Sequence, residues 1–337
     1  MHYLVTGGLG VVGSWYAKAK LSLGHRVTII DACEEPRNHY QAKSLVASFG
    51  DLVTIHKARM ESFDLKSLPR PDAILHAAAY TGIPSSMGDP LDDWVSNVET
   101  TRNLLEYLRS SSNPSPTVVL SSVKPYKLDH KEYFLDGSRY HLKFPVDELC
   151  PLEPDEPYAA SKMAQSGICQ AYARTFDLPV TVFRCSNLYG PGPCHGPRHG
   201  WLTWFCIQAA LGLPIEVQGS GFQTRDMLYV SDVQSAVDLA LDDPTLHGQL
   251  FNLGGGEANA ISVIQAAERV KELAPNTRLL KAAGRKFEDS VFTTDFTKFR
   301  VLTGWFPQVS VFGGIEVTYQ WALENQLSIR ELYKQCA

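Results

Sequence analysis

The 337-residue chain lacks three features, each of which would have indicated a class of partner or fold. It has no block of lysine or arginine and its formal net charge is -5, so no nucleic-acid partner is expected. It has no uninterrupted run of ~18 apolar residues, so no membrane span and no membrane partner are expected. It has no low-complexity segment. The remaining composition, 44% hydrophobic and 20% charged, is that of a globular protein with a sizeable core.

Cysteines are scattered along the chain. They number seven, which is odd, and no two have the Cys-x-x-Cys spacing. This pattern is typical of reduced thiols in a cytoplasm rather than of a disulfide framework or a zinc site. Cys194, His195 and His199 lie close together and are an alternative set of metal ligands. A Gly/Pro-rich loop that carries polar side chains explains them more simply, and no metal is predicted.

Short apolar segments alternate with helix-length segments through the first half of the chain. The apolar segments predict buried parallel strands at 2–6, 26–31, 52–56, 72–77, 116–122 and 178–187. The segments between them predict helices near 11–24, 38–49, 91–111 and 157–176. The alternation predicts an α/β fold, a doubly wound parallel Rossmann sheet with helices on both faces.

Three glycines, Gly7, Gly10 and Gly13, stand between the first predicted strand and the first predicted helix. One permits a tight turn, one lets the backbone approach a pyrophosphate, and one lets the helix pack closely on the strand. Backbone N–H groups at the start of the helix, at Val11 and Val12, then face the phosphates. The spacing predicts a bound dinucleotide, with a purely structural turn as the alternative.

Asp31 ends the second predicted strand, 24 residues after Gly7. A carboxylate at that place accepts hydrogen bonds from both hydroxyls of the dinucleotide's ribose. It would also repel a 2′-phosphate, so the predicted cofactor is NAD. Arg37 lies near enough in the sequence to leave NADP open.

Tyr158 and Lys162 stand four positions apart in a predicted helix, which brings both side chains onto one face. An ammonium beside a phenol stabilises the phenolate, so Tyr158 can take a proton from a hydroxyl at neutral pH. An ordinary amphipathic helix would give the same spacing. The dinucleotide fingerprint upstream favours the catalytic interpretation.

Beyond residue 188 the pattern becomes irregular, with helices and short strands after a Gly/Pro-rich loop. We therefore predict a first, dinucleotide-binding domain over 1–187. A smaller C-terminal α/β lobe, which would bind the substrate, follows over 188–337, with some segments returning to the first sheet. The segment 127–156 is too long and too polar for a tight connection and is predicted to be a functional flap.

These motifs resemble those of the extended short-chain dehydrogenase/reductase family, whose members mostly rework nucleotide-linked sugars. Four further stretches match the family's motifs in the family's order: His76 to Ala79 (H-x-A-A), Ser86 to Glu106 (the serine and the asparagine helix), Arg184 to Pro191 (R-x-x-N-x-Y-G-P) and Gln223 to Asp232 (Q-x-R-D-x-x-Y-V-x-D). The resemblance implies a nucleotide-diphosphate sugar as substrate and a homodimer built on the helices near 91–111 and 157–176.

The resemblance also implies a role for each matching residue. Those expected at the cofactor, beside the glycine turn and Asp31, are Ala77, Ala78, Ala79, Asn97, Tyr158 and Lys162. Those expected at the substrate are Ser86, Lys124, Asn187 and Arg225.

The third catalytic group of that family is a serine or threonine. Aligning Tyr126 with the tyrosine that follows it in relatives puts Ser122 at the catalytic position, and Ser121 is the alternative. Its hydroxyl would hold the sugar oxygen while Tyr158 removes the proton.

The residues after Ser122 bear on the overall reaction. In the family's 4,6-dehydratases an Asp-Glu pair follows the serine or threonine, and decarboxylases keep an acidic residue there. Val123 and Lys124 stand in those places here, which favours epimerisation, that is, oxidation and re-reduction on the opposite face.

A subgroup resemblance refines the expected activity. The Lys124-Pro125-Tyr126 stretch and the enlarged segment before Tyr158 are similar to those of CDP-tyvelose (CDP-paratose) 2-epimerases. A nucleotide-sugar 4-epimerase and a net NAD(P)-dependent dehydrogenase or reductase remain alternatives, and a non-catalytic dinucleotide sensor is a third class.

Two stretches depart from the family pattern. Lys57-Ala58-Arg59 stands where relatives place an aspartate for the adenine amino group, so adenine recognition should differ. Arg285 to Ser290 lacks the second arginine that relatives use at the diphosphate, and Lys286 is the alternative.

Overall fold

The computed structural model describes residues 1–128, 131–193, 200–284 and 289–334. The strands in that part of the chain are β1 (His2–Thr6), β2 (Arg26–Asp31), β3 (Val53–Lys57), β4 (Ala73–His76), β5 (Thr117–Ser122), β6 (Tyr133–Asp136), β7 (Arg139–Leu142), β8 (Val180–Cys185), β9 (Asn187–Tyr189), β10 (Ile215–Gln218), β11 (Thr224–Tyr229), β12 (Leu250–Leu253), β13 (Ala260–Ser262), β14 (Leu279–Ala282) and β15 (Val291–Phe292). The helices are α1 (Val11–Ser22), α2 (Pro36–Phe49), α3 (Ile83–Gly88), α4 (Pro90–Trp94), α5 (Thr100–Arg109), α6 (Pro157–Phe176), α7 (Trp201–Ala210), α8 (Val230–Asp242), α9 (Val263–Leu273), α10 (Thr297–Thr303), α11 (Val311–Glu324) and α12 (Gln326–Lys334).

Three residues of the alternative metal site, Cys194, His195 and His199, lie outside the described residues. The same holds for Lys286, the alternative diphosphate contact. No helix in the described ranges combines the length and the apolar character needed to cross a membrane.

The described chain divides into two compact units. Unit 1 comprises Met1–Pro125, Pro154–Arg184 and Val233–Phe251, and unit 2 comprises the described residues within Tyr126–Glu153, Cys185–Asp232 and Asn252–Ala337. The described part of the predicted flap up to Glu153 therefore clusters with unit 2, whereas its last residues and α6, which carries Tyr158 and Lys162, cluster with unit 1.

Unit 1 is built on a seven-stranded sheet in the order β12-β8-β5-β4-β1-β2-β3. The pairs from β3 through β5 are parallel, and Thr6 at the end of β1 lies opposite His76 at the end of β4. The strand order reverses between β1 and β4, and ligands of such sheets bind at the carboxyl ends of the strands at that point. The fold class predicted from the alternating pattern is confirmed.

The core of unit 1 lies between the sheet and the helices α5 and α6. Leu4, Ile74, Leu104, Leu105 and Leu108 are at most 1% exposed and belong to one apolar cluster. Burying each such side chain stabilises the fold by roughly 1.5–3 kcal/mol. Since the helix residues of this cluster face their own sheet, their apolar pattern is explained within a single chain.

Two predicted elements are interrupted in the structure. The predicted helix 91–111 consists of α4, a π-helical turn at Val95–Glu99 that contains Asn97, and α5. The predicted strand 178–187 ends at Cys185, and Asn187 begins β9. Periodicity cannot reveal either break, because each arises from hydrogen bonds to distant parts of the chain.

Unit 2 contains short sheets and a helical layer. In its four-stranded sheet, β11 pairs with β9, β13 and β15. The predicted flap contains the antiparallel hairpin β6–β7, in which Arg139 and His141 both bond to Glu257. The segment is thus anchored to unit 2 by ion pairs and strand pairing rather than being an open loop.

Candidate active site

The glycine turn of unit 1 has no room for side chains. Gly7 has φ +63°, and a Cβ on it would lie 2.6 Å from the Cα of Ala78. A Cβ on Gly13 would lie 2.8 Å from the Cα of Gly8. Gly10 caps α1 without any side-chain hydrogen bond, so the N–H groups of Val11 and Val12 face outward from an uncapped helix start. This bare helix start is the cradle that a dinucleotide pyrophosphate requires.

Asp31 is fixed at the carboxyl end of β2 by backbone donors. Its Oδ2 accepts from Leu9 N at 2.9 Å and its Oδ1 accepts from Cys33 N at 2.8 Å. Burial raises the pKa of the Asp31 carboxyl, and the two N–H donors oppose that rise. Each oxygen keeps a further lone pair, so the carboxylate can still accept from ribose hydroxyls.

The two arginines near Asp31 have acidic partners. Arg37, which left NADP open in the sequence, forms an ion pair with Glu35. Arg59 belongs to the Lys57-Ala58-Arg59 stretch that stands where relatives place an aspartate, and it donates to Glu34 at 2.8 Å, to Glu61 at 2.6 Å and to Asp92. The hydrogen bond to Glu61 is the main reason that the pKa of Arg59 is raised.

The small residues Ala77, Ala78 and Ala79 follow β4 and lie next to the glycine turn. The N–H of Ala77 bonds to Thr6 O at 3.0 Å, and the N–H of Ala78 bonds to Thr6 Oγ1 at 3.3 Å. These bonds hold the segment beside Gly7, where small side chains leave space above the sheet.

Asn97 clamps that segment from the π-helical turn. Its Oδ1 accepts from Tyr80 N at 3.0 Å, and its Nδ2 contacts Tyr80 O at 3.2 Å and Ser161 Oγ at 3.0 Å. The side chain is fully buried. Asn97 therefore connects the loop after β4 to α6, which holds that loop in position. π-Helical turns are frequent at functional sites.

The two candidate serines at the end of β5 have different surroundings. Ser121 donates to the backbone O of Lys162 at 3.1 Å, whereas Ser122 Oγ accepts from Lys124 N at 3.1 Å. Neighbouring residues of a strand point to opposite faces, so only one of the two hydroxyls can face a given ligand. Ser121 is engaged against the backbone of α6.

Tyr158 stands in the first turn of α6, directly after the N-terminal cap of that helix. The carboxylate of Glu156 accepts from Tyr158 N at 2.7 Å and from Ala159 N at 3.0 Å, and Pro157 occupies the first helical position. A capping carboxylate and a proline at this position both favour a helix start. Glu156-Pro157 directly before Tyr158 is thus a helix-start signal that the sequence already contains.

Lys162 lies one turn further along α6 and is 2% exposed. Its Nζ donates to Gln165 Oε1 at 3.0 Å and to Leu120 O at 3.4 Å. Both acceptors are neutral. No short sequence motif indicates the amide of Gln165, so this contact is not predictable from the sequence alone.

The two predicted substrate residues of unit 1 are Ser86 and Lys124. Ser86 lies in α3, is fully buried, and donates to Ile83 O at 3.1 Å. Lys124 follows β5. Burial raises the pKa of Glu156, and the charge of Lys124 opposes that rise. Lys124 is half-buried, so its head group is not withdrawn into the core.

The predicted substrate residues of unit 2 share one face of its four-stranded sheet. Asn187 on β9 is paired with Met227 on β11, and Arg225 stands two residues before Met227. Residues two apart on a strand point to the same face, so Asn187 and Arg225 lie on one side of the sheet. Arg225 donates to Thr224 O at 2.8 Å and to Asp289 O at 2.7 Å, and it is partly exposed.

Comparison with known proteins places these features in a family. The family model described as "NAD dependent epimerase/dehydratase family" matches residues 3–254. Among curated relatives, the CDP-paratose 2-epimerase of Salmonella typhi is 29% identical over 95% of this chain and 99% of its own. A probable dTDP-glucose 4,6-dehydratase of Sinorhizobium fredii is 30% identical over 96% of this chain and 93% of its own.

The solved structures agree with this placement. The UDP-glucose 4-epimerase of Thermotoga maritima superposes with a TM-score of 0.82 at 25% identity, covering 97% of this chain and all of the other. The glycine cradle and the anchored Asp31 fit the cofactor in this family's name, and the predicted use of NAD is confirmed. Because the family model spans three quarters of the sequence, the chain belongs to the NAD dependent epimerase/dehydratase family.

Proposed function

We propose that this protein is an NAD-dependent nucleotide-sugar epimerase that inverts one carbinol carbon, with an activity like that of the CDP-tyvelose (CDP-paratose) 2-epimerases. The similarity to a CDP-paratose 2-epimerase over nearly the full length of both chains supports the substrate class. Dehydratases match the chain at similar identity, so overall similarity does not separate the two reactions.

The observation that carries the choice is the pair of residues after Ser122. Loss of water from a keto-sugar needs an acid and a base beside the substrate. Val123 is buried and Lys124 is a cation, so neither supplies a carboxyl. Glu156 interacts with Lys124, but both of its oxygens cap α6. Epimerisation needs no such pair.

NAD held by the glycine turn at Gly7, Gly10 and Gly13 and by Asp31 would supply the group that takes a hydride from the sugar carbon and gives it back. The Tyr158 phenolate takes the proton of the same carbinol, and Ser122 holds the carbinol oxygen by a hydrogen bond. Lys162 stabilises the phenolate, because an adjacent cation favours the charged form of a phenol. During re-reduction Tyr158 returns the proton to the oxygen.

The remaining predicted residues bind and orient. Gly7, Gly10 and Gly13 let the backbone approach the pyrophosphate, and Asp31 accepts from the ribose. Asn187 and Arg225 share a sheet face in unit 2, which supports a joint role at the substrate diphosphate. Ser86 and Lys124 are proposed at the sugar.

The discriminating experiment uses a panel of CDP-, UDP-, GDP- and dTDP-sugars with no added nicotinamide, analysed by NMR. The proposal expects one sugar to be inverted by protein that retains NAD from purification. A product that has lost water, or a stoichiometric change in nicotinamide absorbance, would contradict it. Inversion at C4 of a UDP-sugar would favour the alternative that the Thermotoga maritima neighbour represents.

The predicted homodimer stays a prediction. The apolar residues Leu104, Leu105 and Leu108 are buried against the protein's own sheet. On the helices of the predicted interface, Leu91 and Trp94 in α4 and Phe176 in α6 are 73%, 44% and 45% exposed, so a partner could cover them. Sedimentation equilibrium should give the mass of two chains, and a one-chain mass at micromolar concentration would contradict the prediction.

A further inference from the structure

A continuous chain of buried hydrogen bonds leads away from Lys162. Lys162 Nζ contacts Gln165 Oε1 at 3.0 Å, and Gln165 Nε2 contacts Thr101 Oγ1 at 3.0 Å. Thr101 Oγ1 contacts His76 Nε2 at 3.0 Å, and His76 Nδ1 contacts Thr6 Oγ1 at 2.7 Å. These five residues are at most 2% exposed, so the chain is closed to water along its length.

The protons of this chain have one consistent arrangement. Thr101 Oγ1 donates to the backbone O of Asn97 at 2.7 Å, so it must accept from Gln165 and His76. His76 therefore carries its proton on Nε2, and Nδ1 accepts from Thr6. Burial, together with the charge of Lys162, lowers the pKa of His76 to about 3, so the ring stays neutral.

This arrangement fixes the orientation of the Gln165 amide. Its N–H group is committed to Thr101, so its carbonyl oxygen must face the lysine. A carbonyl oxygen binds an ammonium without cancelling its charge. A carboxylate in the same place would hold the ammonium equally well but would neutralise it for any third group nearby.

We propose that Gln165 is a positioning residue that holds the Lys162 ammonium in place with a neutral carbonyl oxygen, so that the contact adds no negative charge to the site in which the ammonium acts on Tyr158. The proposal rests on the proposed function, which makes Tyr158 the base. Thr101 and His76 contribute indirectly. Their hydrogen bonds orient the Gln165 amide, and that amide in turn positions Lys162. The stretch between Lys162 and Thr6 thus serves the reaction without touching the substrate.

Other ionisable groups around Lys162 and Tyr158 contribute a constant background. His76 on β4, Asp93 on α4 and Cys169 on α6 interact electrostatically with Lys162. Glu156 caps the helix at Tyr158 and interacts with Lys124. The Gln165 variants keep all of these side chains, so wild type and variants are compared with the same ionisable groups present.

The test measures the ionisation of Tyr158 directly and needs no substrate. The tyrosinate absorbance of the NAD-loaded protein is titrated against pH, and the curve of the Tyr158→Phe variant is subtracted. Gln165→Leu removes the acceptor and Gln165→Glu neutralises the cation, so both should raise the Tyr158 midpoint by about one pH unit. Thr101→Val keeps the acceptor and should give a smaller shift of the same sign.

Asn103→Leu is the matched control. It also removes an internal amide of unit 1, one that bonds to Met60 O at 2.8 Å and Phe63 O at 2.9 Å, but it does not touch the lysine chain. It should lower the melting temperature without moving the Tyr158 midpoint. A purely structural role for Gln165 predicts the same result for Gln165→Leu.

The outcomes separate the two proposals. Unmoved midpoints in folded Gln165→Leu and Gln165→Glu would overturn the positioning role. If Gln165→Leu does not fold, Gln165→Glu decides alone, because it retains the acceptor. A wild-type Tyr158 that titrates near ~10, like a free phenol, would instead remove Tyr158 as the base and with it the proposed function.

Discussion

Lys162 in unit 1 and Asp226 in unit 2 are both buried ionisable side chains, but their surroundings differ in how they affect the charged form of each. The Lys162 ammonium donates to neutral acceptors on Gln165 and Leu120, which do not cancel its charge. Asp226 is fully buried, and burial raises the pKa of its carboxyl to about 6 although Gly256 N donates to it. Lys162, which the proposed reaction uses, is bound by groups that accept from its ammonium. Asp226, which has no part in that reaction, is in surroundings that favour its neutral carboxyl.

The largest expected effect is on turnover, and it comes from removing the positive charge of Lys162. Lys162→Met should lower turnover by ~10²–10⁴-fold, because Tyr158 loses the cation that favours its phenolate. Steady-state assays with the sugar identified from the panel measure this. Lys20→Met is the control, since Lys20 is also a buried lysine of unit 1 and pairs with Asp238 at 2.7 Å.

The control should lose stability and keep its turnover. Equal losses of turnover in Lys162→Met and Lys20→Met, after correction for the folded fraction, would contradict a special role for the charge at Lys162.

Asp226 should show the opposite behaviour, an effect on stability that depends on pH. Its carboxyl binds a proton more tightly in the folded than in the unfolded chain, so this group's contribution falls as pH rises from about 4 to about 6. The full difference is roughly 3 kcal/mol. Asp226→Asn should therefore gain stability relative to wild type as pH rises through that window.

Urea unfolding at several pH values between 4 and 7 measures this difference. A stability gap between wild type and Asp226→Asn that is constant with pH would show that the carboxyl is ionised in the folded protein throughout.

Glu156 is intermediate, because it is a buried carboxylate that two backbone N–H groups hold. Glu156→Ala should lower the free energy of unfolding by about 1 kcal/mol through loss of the α6 cap. Glu156→Ser keeps a capping oxygen and should recover most of that loss. Denaturant unfolding distinguishes them, and equal stabilities of the two variants would show that the cap contributes nothing.

The sequence predicted the parts of the site that depend on local backbone. The turn at Gly7, the strand end at Asp31 and the helix carrying Tyr158 follow from glycine spacing, strand patterning and helical periodicity, and the structure has all three elements. The sequence left Ser121 and Ser122 open, and the bond of Ser121 to the backbone of Lys162 now favours Ser122.

The lysine chain could not be predicted in the same way. Gln165 and Thr101 are 64 positions apart, and Thr6 and His76 are 70 apart. Such pairs meet only after the sheet order and the helix packing are set, and no periodic pattern encodes them. The π-helical turn at Asn97 has the same origin, because its side chain bonds to Tyr80 and Ser161.

The central claim is that one carbinol carbon loses and regains its own hydrogen while Tyr158 handles the proton of the oxygen. The direct measurement uses a substrate with deuterium on the inverted carbon, in ordinary water, and mass spectrometry of the product. We expect the product to keep its deuterium and turnover to slow through a primary isotope effect. Loss of the deuterium to solvent would show that a carbon-bound proton is exchanged instead, and would contradict this account.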